Sequence, residues 1–294
     1  MTRPLPISLL VLTYNEEANI GQTLSSVREW VDEIYVVDSG STDETCRVAE
    51  QYGATVAQHA FESHTRQWDW ALHTLPLANE WVLALDADLR ITTELRDELT
   101  LLFTTNRHKL NSIAGIYLNR RAVFQGRWIR HGAFYPKYLL KLFRKSCVSL
   151  SPRDLLDHHF YVVGSTLTLR SDMIEENLKD LDIGFFVDRH RRYARKSAEE
   201  EFAQRIDGND WPIKPDLLGS PDQRVVWLKR RWYRMPLYVR PLMLFLYRYV
   251  VRMGFMDGRQ GFVFHFIQSL WFRMMVDIYL AEMLSARDRG GELV

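Results

Sequence analysis

About ninety residues at the start of the chain alternate between apolar runs typical of strands and segments with helical spacing. The apolar runs predict strands at Ile7–Thr13, Glu33–Asp38, Ala54–Ala57 and Trp81–Leu85. Between these strands, apolar residues recur three or four positions apart, which predicts helices at 18–30, about 42–52 and 64–75. Because strands that alternate with helices usually form a parallel sheet, we expect an α/β fold in this part of the chain.

Carboxylates follow the predicted strands at the positions where open α/β sheets usually bind their ligands. Asp38 ends the second strand, and Asp86 and Asp88 stand two positions apart after the run Trp81–Leu85. The carboxyl ends of parallel strands meet at one edge of a sheet, so we expect these side chains in one crevice. A carboxylate pair suits a hard divalent cation that bridges phosphates. Helix capping is the alternative for a lone aspartate such as Asp38.

Beyond residue 88 the patterns predict further strands and then a helical C-terminal region. A helix is predicted at Thr93–Phe103, and strands at Ile113–Phe124 and Tyr138–Phe143. The polar residues 172–206 are predicted to be helical, and the prolines and glycines of 207–222 predict a linker. These patterns divide the chain into an α/β domain at 1–206, the linker at 207–222 and a helical region at 223–294.

The helical region is both basic and aromatic. Residues 224–252 hold eight lysines and arginines and no acidic residue, although the formal net charge of the whole chain is only +1. This overall charge gives no reason to expect nucleic-acid binding. A predicted helix at Trp227–Met256 contains no apolar run long enough to span a bilayer, but it suits an anionic membrane surface. Packing on the rest of the chain is the alternative, and we favour packing for a second predicted helix at Phe262–Leu284.

Three segments together resemble the family 2 glycosyltransferases. They are Leu-Thr-Tyr-Asn-Glu-Glu at 12–17, Val-Val-Asp-Ser-Gly-Ser-Thr-Asp at 36–43 and Leu-Asp-Ala-Asp at 85–88. The resemblance implies a GT-A fold, which is a Rossmann-like, mixed but mainly parallel sheet flanked by helices. It also implies a nucleotide-sugar donor, for which a UDP-sugar is the first expectation, transfer with inversion, and Mg²⁺ or Mn²⁺ as cofactor.

The resemblance also implies roles for individual residues. Those expected at the nucleotide sugar are Thr13, Tyr14, Glu16, Asp38, Arg66 and Asp86. Arg130 is a further candidate because arginine suits bidentate phosphate contacts, and a solvated basic loop is the alternative. Asp88 is expected to bind the metal, with Asp86 as a further candidate ligand. His159 is a candidate from its residue type alone, and an ordinary loop residue is the alternative. Inverting transfer needs one general base to take the proton of the acceptor hydroxyl. Asp157 is the first candidate for this base and Asp154 the alternative.

The acceptor is predicted from the C-terminal region. The segments Arg240–Leu242 and Gly254–Gly258 resemble the tail of the subgroup that builds lipopolysaccharide core, which implies a lipid-linked saccharide acceptor in bacterial envelope glycan synthesis. Because the chain enters a strand-like segment directly, we expect no secretory signal. The expected location is the cytoplasmic face of the inner membrane, with peripheral or monotopic attachment.

Two other functions stay open at this point. A phosphotransferase of the haloacid dehalogenase type also uses Asp-x-Asp, but it needs a nucleophilic aspartate at the end of the first strand, where Thr13 stands. A non-catalytic nucleotide-sugar-binding or membrane scaffold protein is the second alternative. The intact carboxylates Asp38, Asp86 and Asp88 favour the enzyme over the scaffold.

Overall fold

The computed structural model describes residues 3–150, 160–207 and 213–290. The strands are β1 (Leu5–Thr13), β2 (Val31–Asp38), β3 (Thr55–Gln58), β4 (Trp81–Asp86), β5 (Leu89–Ile91), β6 (Ile113–Phe124), β7 (Arg127–Trp128), β8 (Tyr138–Arg144), β9 (Val148–Leu150), β10 (Phe160–Val162) and β11 (Ser165–Glu176). The helices are α1 (Glu17–Ser25), α2 (Thr45–Gln51), α3 (His64–Thr74), α4 (Thr93–Phe103), α5 (Ile183–Asp207), α6 (Pro221–Trp232), α7 (Val239–Leu246), α8 (Gly258–His265) and α9 (Phe272–Asp288). Short 3₁₀ turns lie at Arg107–Ser112, Leu178–Leu181 and Gly254–Asp257, and π turns at Tyr247–Val251 and Phe266–Trp271.

A twisted sheet organises the first of two compact units, which holds the described residues up to Gly126, from Pro136 to 150 and from 160 to Lys179. Its strands lie in the order β3-β2-β1-β4-β8-β6-β11-β5. The first four strands are mutually parallel, whereas β8 runs antiparallel to both β4 and β6. The predicted mixed, mainly parallel sheet flanked by helices is therefore confirmed.

Both faces of this sheet are covered, which explains the uninterrupted apolar runs in the sequence. Along β1, Leu9 belongs to one buried cluster and Leu10 to the other. The first cluster includes Ile20 of α1 and Leu95 of α4, and the second includes Trp68 of α3. The sheet is thus fixed between helices, and its carboxyl edge is left to the loops that carry the polar residues.

The prediction of helix at the start of 172–206 is wrong. Residues up to Glu176 belong to β11, which pairs in parallel with β6. The charged side chains of this part of β11 form ion pairs with arginines of neighbouring strands. Asp172 is buried and pairs with Arg121, and Glu175 pairs with Arg120 at 2.8 Å. The α-helical prediction holds from Ile183 onward, after a short 3₁₀ turn at Leu178–Leu181.

The second compact unit holds Arg127–Tyr135 and the described residues from Asp180 to 290. Its longest helix, α5, packs on α9, where Ala194 and Ala198 form a cluster with Phe272, Val276 and Leu280. This packing places the predicted boundary at 206/207 inside the second unit, because α5 buries its apolar residues against the C-terminal helices. The predicted linker is in part helical, since α5 ends at Asp207 and α6 begins at Pro221.

The predicted helix at Trp227–Met256 is interrupted. Helix α6 ends at Trp232 and α7 begins at Val239. Pro236 lies in the break, and a proline disfavours helical backbone at the residue before it. Arg240 joins the helices by binding Glu201 of α5 at 2.8 Å and Asp277 of α9 through buried ion pairs. Within the described residues, no helix is long and apolar enough to cross a membrane.

Candidate active site

The carboxyl ends of the parallel strands bring three predicted site residues to one edge of the sheet. Thr13 of β1 stands opposite Asp38 of β2, and its neighbour Leu12 stands opposite Asp86 of β4. The hydroxyl of Thr13 donates to Asp38 at 3.1 Å. Residues 25 to 73 positions apart in sequence therefore meet here as parallel topology requires.

Asp38 is fully buried and organises the loop that follows β2. Its carboxylate accepts the backbone N–H groups of Gly40 at 3.0 Å and Ser41 at 2.8 Å, together with the Ser41 hydroxyl. Burial alone would raise the pKa of Asp38, but the hydrogen bonds from Ser41 and Thr13 outweigh burial and hold the pKa below its ordinary value. The group is therefore an ionised carboxylate that fixes backbone geometry, whereas its direct contact with a base stays a prediction.

A second loop, Tyr14–Glu17, is joined to the loop after β2. Asn15 has a φ of 53°, a left-handed conformation that asparagine tolerates better than most residues. Its backbone N–H donates to the Ser41 hydroxyl, and its side-chain oxygen accepts from the Thr42 N–H, both at 2.8 Å. Tyr14, the first residue of this loop, is 58% exposed.

Glu16 is held by groups of its own unit. One carboxylate oxygen accepts from Lys179 at 2.6 Å and the other from Asn19 at 2.7 Å. Lys179 also donates to the backbone oxygen of Asn15. The structure therefore shows Glu16 fixing the first loop, and its predicted contact with the nucleotide stays a prediction.

Asp86 is paired with a lysine that was not among the predicted site residues. Lys141 of β8 donates to Asp86 at 2.7 Å, and its side chain is only 6% exposed, compared with 43% for Asp86. A signal for Lys141 was present in the sequence, because it is the one charged residue inside the apolar run Tyr138–Phe143. Buried lysines are rare unless they are paired, so such a residue calls for a nearby carboxylate.

Asp88 lies in the tight turn between β4 and β5 and is partly exposed. Two backbone oxygens fix this turn: that of Asp88 accepts from the Glu176 N–H at 3.0 Å, and that of Ala87 accepts from the Thr23 hydroxyl at 2.6 Å. Among the described residues, no three His, Cys, Asp or Glu side chains gather as a ready-made metal cluster. Asp86 and Asp88 are both partly exposed carboxylates. Carboxylates are the ligands that Mg²⁺ and Mn²⁺ prefer, and these ions keep several positions for water and phosphate oxygens.

Arg66 and Gln67 are adjacent on α3, and the buried Gln67 contacts the loops that follow β2 and β3. Arg66 is exposed and pairs with Glu62 on the surface. Gln67 is fully buried and donates to the Ser39 hydroxyl and to the backbone oxygen of His59, both at 3.0 Å. Gln67 was not among the predicted site residues, because its only signal in the sequence was its place on the apolar side of the helix.

The remaining predicted site residues lie elsewhere. Arg130 belongs to the second unit, where it is exposed and stacks over the Trp128 ring at 5.3 Å. Asp154, Asp157 and His159 fall outside the described residues. The assignment of the general base therefore stays a prediction.

Comparisons with known proteins bear on the same part of the chain. The family model described as Glycosyl transferase family 2 matches residues 8–175. An uncharacterized glycosyltransferase of Rickettsia felis is 39% identical over 100 residues, which is 34% of this chain and 35% of that protein. The lipopolysaccharide core biosynthesis glycosyltransferase LpsC of Rhizobium meliloti is 30% identical over 131 residues, which is 43% of this chain and 46% of that protein. The matched segment thus spans about a third of the length of the Rickettsia relatives.

A solved structure supports the fold over nearly the whole chain. The mannosyltransferase PcManGT of Pyrobaculum calidifontis, in complex with GDP-Man and Mn²⁺, has a TM-score of 0.52. The similarity covers 99% of this chain and 89% of that chain at 15% identity. At this level of identity the likeness concerns the fold.

Proposed function

Since the chain belongs to glycosyl transferase family 2, we propose that it moves a sugar from a nucleotide-sugar donor to a lipid-linked saccharide, with inversion at the anomeric carbon. The observation that carries this proposal is the meeting of Thr13, Asp38 and Asp86 at one sheet edge, with Asp88 in the adjoining turn. Such an edge is where an open α/β sheet binds a nucleotide.

Different residues of this edge would contact different parts of the donor. The loops ordered by Asp38 and Asn15 form the surface for the base, and exposed Tyr14 covers it. Asp86, oriented by Lys141, faces the ribose and diphosphate. A Mg²⁺ or Mn²⁺ ion held by Asp88 and supported by Asp86 would offset the charge that develops on the departing diphosphate. The acceptor proton goes to a general base, for which Asp157 and then Asp154 remain the candidates.

The acceptor and the location are proposed from other features. LpsC, a relative over 43% of this chain, is named for lipopolysaccharide core biosynthesis. Basic and aromatic residues between 224 and 252 favour an acceptor at an anionic membrane surface. We therefore place the protein at the cytoplasmic face of the inner membrane, attached peripherally, in envelope glycan synthesis.

A screen of nucleotide sugars tests this proposal. With Mn²⁺ present, one UDP- or GDP-sugar should raise the melting temperature and be slowly hydrolysed, and Asp88→Asn should remove the metal-dependent part of both effects. Asp97→Asn, an exposed change on α4 with the same chemistry, is the matched control. Binding that needs no metal and survives Asp88→Asn would reject the metal assignment. Binding without any hydrolysis or transfer would favour the non-catalytic alternative.

A further inference from the structure

Large apolar side chains are exposed along one segment of the second unit. Between residues 238 and 266, thirteen of them are well exposed, among them Leu246 at 56%, Val250 at 54% and Phe255 at 50%. We call these exposed side chains of 238–266 the apolar face. Monomeric soluble proteins rarely leave such a set uncovered, and an exposed set of this size marks an interaction surface.

Ring contacts show that the helical segments carrying the apolar face pack on one another. Tyr249, in the π turn after α7, lies 5.6 Å from the ring of Phe262 on α8 and 6.3 Å from the ring of Phe255. Phe245 of α7 reaches Phe266 at 6.4 Å. Helix α7 with its π turn therefore packs against the 3₁₀ turn at Gly254–Asp257 and against α8 with the π turn that follows it.

The charges within this segment favour an anionic occupant. Asp257 is the only acidic residue between 238 and 266, and it is buried. The exposed charges of the segment are the arginines Arg252 and Arg259. Apolar and aromatic side chains edged by arginine fit the boundary between the acyl chains and the headgroups of an anionic bilayer.

Asp257 uses its buried carboxylate to hold a basic loop beside this segment. It accepts the backbone N–H of His131 at 2.8 Å and the His131 ring N–H at 2.6 Å. The next residue, Gly132, donates to the backbone oxygen of Arg252 at 2.9 Å. The loop, with Arg130 exposed on it, is thereby fixed next to the exposed Val251 and Met253, where an arginine can reach lipid phosphates.

We infer that the apolar face inserts into the headgroup region of an anionic lipid bilayer, and that Arg252, Arg259 and the loop of Arg130 bind the lipid phosphates. The inference rests on the proposed lipid-linked acceptor and names the surface that brings the protein to it. It differs from the sequence prediction, which gave the membrane contact to a helix at Trp227–Met256 and assigned only packing to Phe262.

Flotation of the full chain with lipid vesicles tests this inference. Vesicles of phosphatidylcholine containing phosphatidylglycerol should bind the protein, and vesicles of phosphatidylcholine alone should bind it much more weakly. Leu246→Glu with Val250→Glu should weaken binding at least about tenfold. The matched control is Leu101→Glu with Leu218→Glu, two leucines that are 52% and 93% exposed outside the face. The control should bind as the unaltered chain does.

The arginines are tested separately. Neutralising Arg252 and Arg259 to glutamine should weaken binding about fivefold for each charge removed. Arg107→Gln, an exposed arginine of the first unit, should have no effect. If the glutamate variants do not fold, hydrogen exchange of the unaltered chain replaces them. Vesicles should then protect 238–266 more than the helices α5 and α9.

Nucleotide binding, measured on the same samples, separates this inference from the proposed function. The inference is supported if the variant with Leu246→Glu and Val250→Glu loses vesicle binding but still binds nucleotide, while the control variant keeps both. An unaltered chain that binds nucleotide but no vesicles overturns it, as does a face variant that floats normally. Self-association through 238–266 without vesicle binding would assign the face to a second copy of the chain and overturns it too.

Discussion

The pair of Lys141 and Asp86 predicts an asymmetric response to mutation. The two partners are not equally buried: the side chain of Lys141 is 6% exposed, whereas that of Asp86 is 43% exposed. Removal of Asp86 strands a buried positive charge, whereas removal of Lys141 leaves a carboxylate that water reaches. Breaking a buried pair from one side typically costs about 3–5 kcal/mol. Because the pair is half open at Asp86, we expect Asp86→Ala to cost about 3 kcal/mol.

Lys141→Met should cost less than about 1 kcal/mol, since methionine fills most of the same volume without a charge. The double variant should regain most of the stability lost in Asp86→Ala, because no charge is then stranded. Urea unfolding measures all four proteins, and the comparison is valid when the m-value is unchanged. The reasoning is refuted if Lys141→Met is as damaging as Asp86→Ala, or if the double variant shows no recovery.

Two further predictions concern stability. Burial lowers the pKa of His190 and of His265 to about 4, so the unfolded chain binds more protons and stability falls as pH drops below about 6.5. Each histidine should account for a loss of about 2 kcal/mol in the free energy of unfolding between pH 7 and pH 5. The variant His265→Gln should therefore lose less stability over this pH range than the unaltered chain. The control His73→Gln, at an exposed position, should lose as much as the unaltered chain. In the first unit, Asn15→Ala should cost about 1–3 kcal/mol in urea unfolding, because alanine keeps the strained φ and loses the bond to Thr42. Asn15→Asp should stay close to the unaltered chain, and an equal loss in both would show that the side-chain oxygen is not the cause.

The first half of the fold was predictable because its local signals agree with its tertiary structure. Apolar runs that end in Asp38 and Asp86 are buried strands with polar carboxyl ends, and the structure places both ends at one edge. Helix α4 and strand β6 have the predicted bounds, Thr93–Phe103 and Ile113–Phe124. In these segments periodicity, turn chemistry and burial all favour the same state.

Prediction from local sequence patterns was wrong or incomplete where contacts between residues distant in sequence decide secondary structure and burial. Strand β11 is polar because its carboxylates meet arginines of β5 and β6, a pairing that local spacing does not reveal. Lys141 was not predicted as a site residue because its partner, Asp86, lies on the neighbouring strand β4. The apolar face was only partly anticipated, since the burial of Arg240 and the exposure of Phe262 are decided by how helices pack.

The central claim is that a divalent metal and a nucleotide sugar bind together at the strand ends around Asp86 and Asp88. Electron paramagnetic resonance of Mn²⁺ tests it most directly, because the signal of the free ion falls when the ion is bound. With a nucleotide sugar that stabilises the protein, we predict one bound Mn²⁺ per chain, little binding without the nucleotide sugar, and little binding by Asp88→Asn. Full Mn²⁺ binding by a folded Asp88→Asn variant would contradict the account.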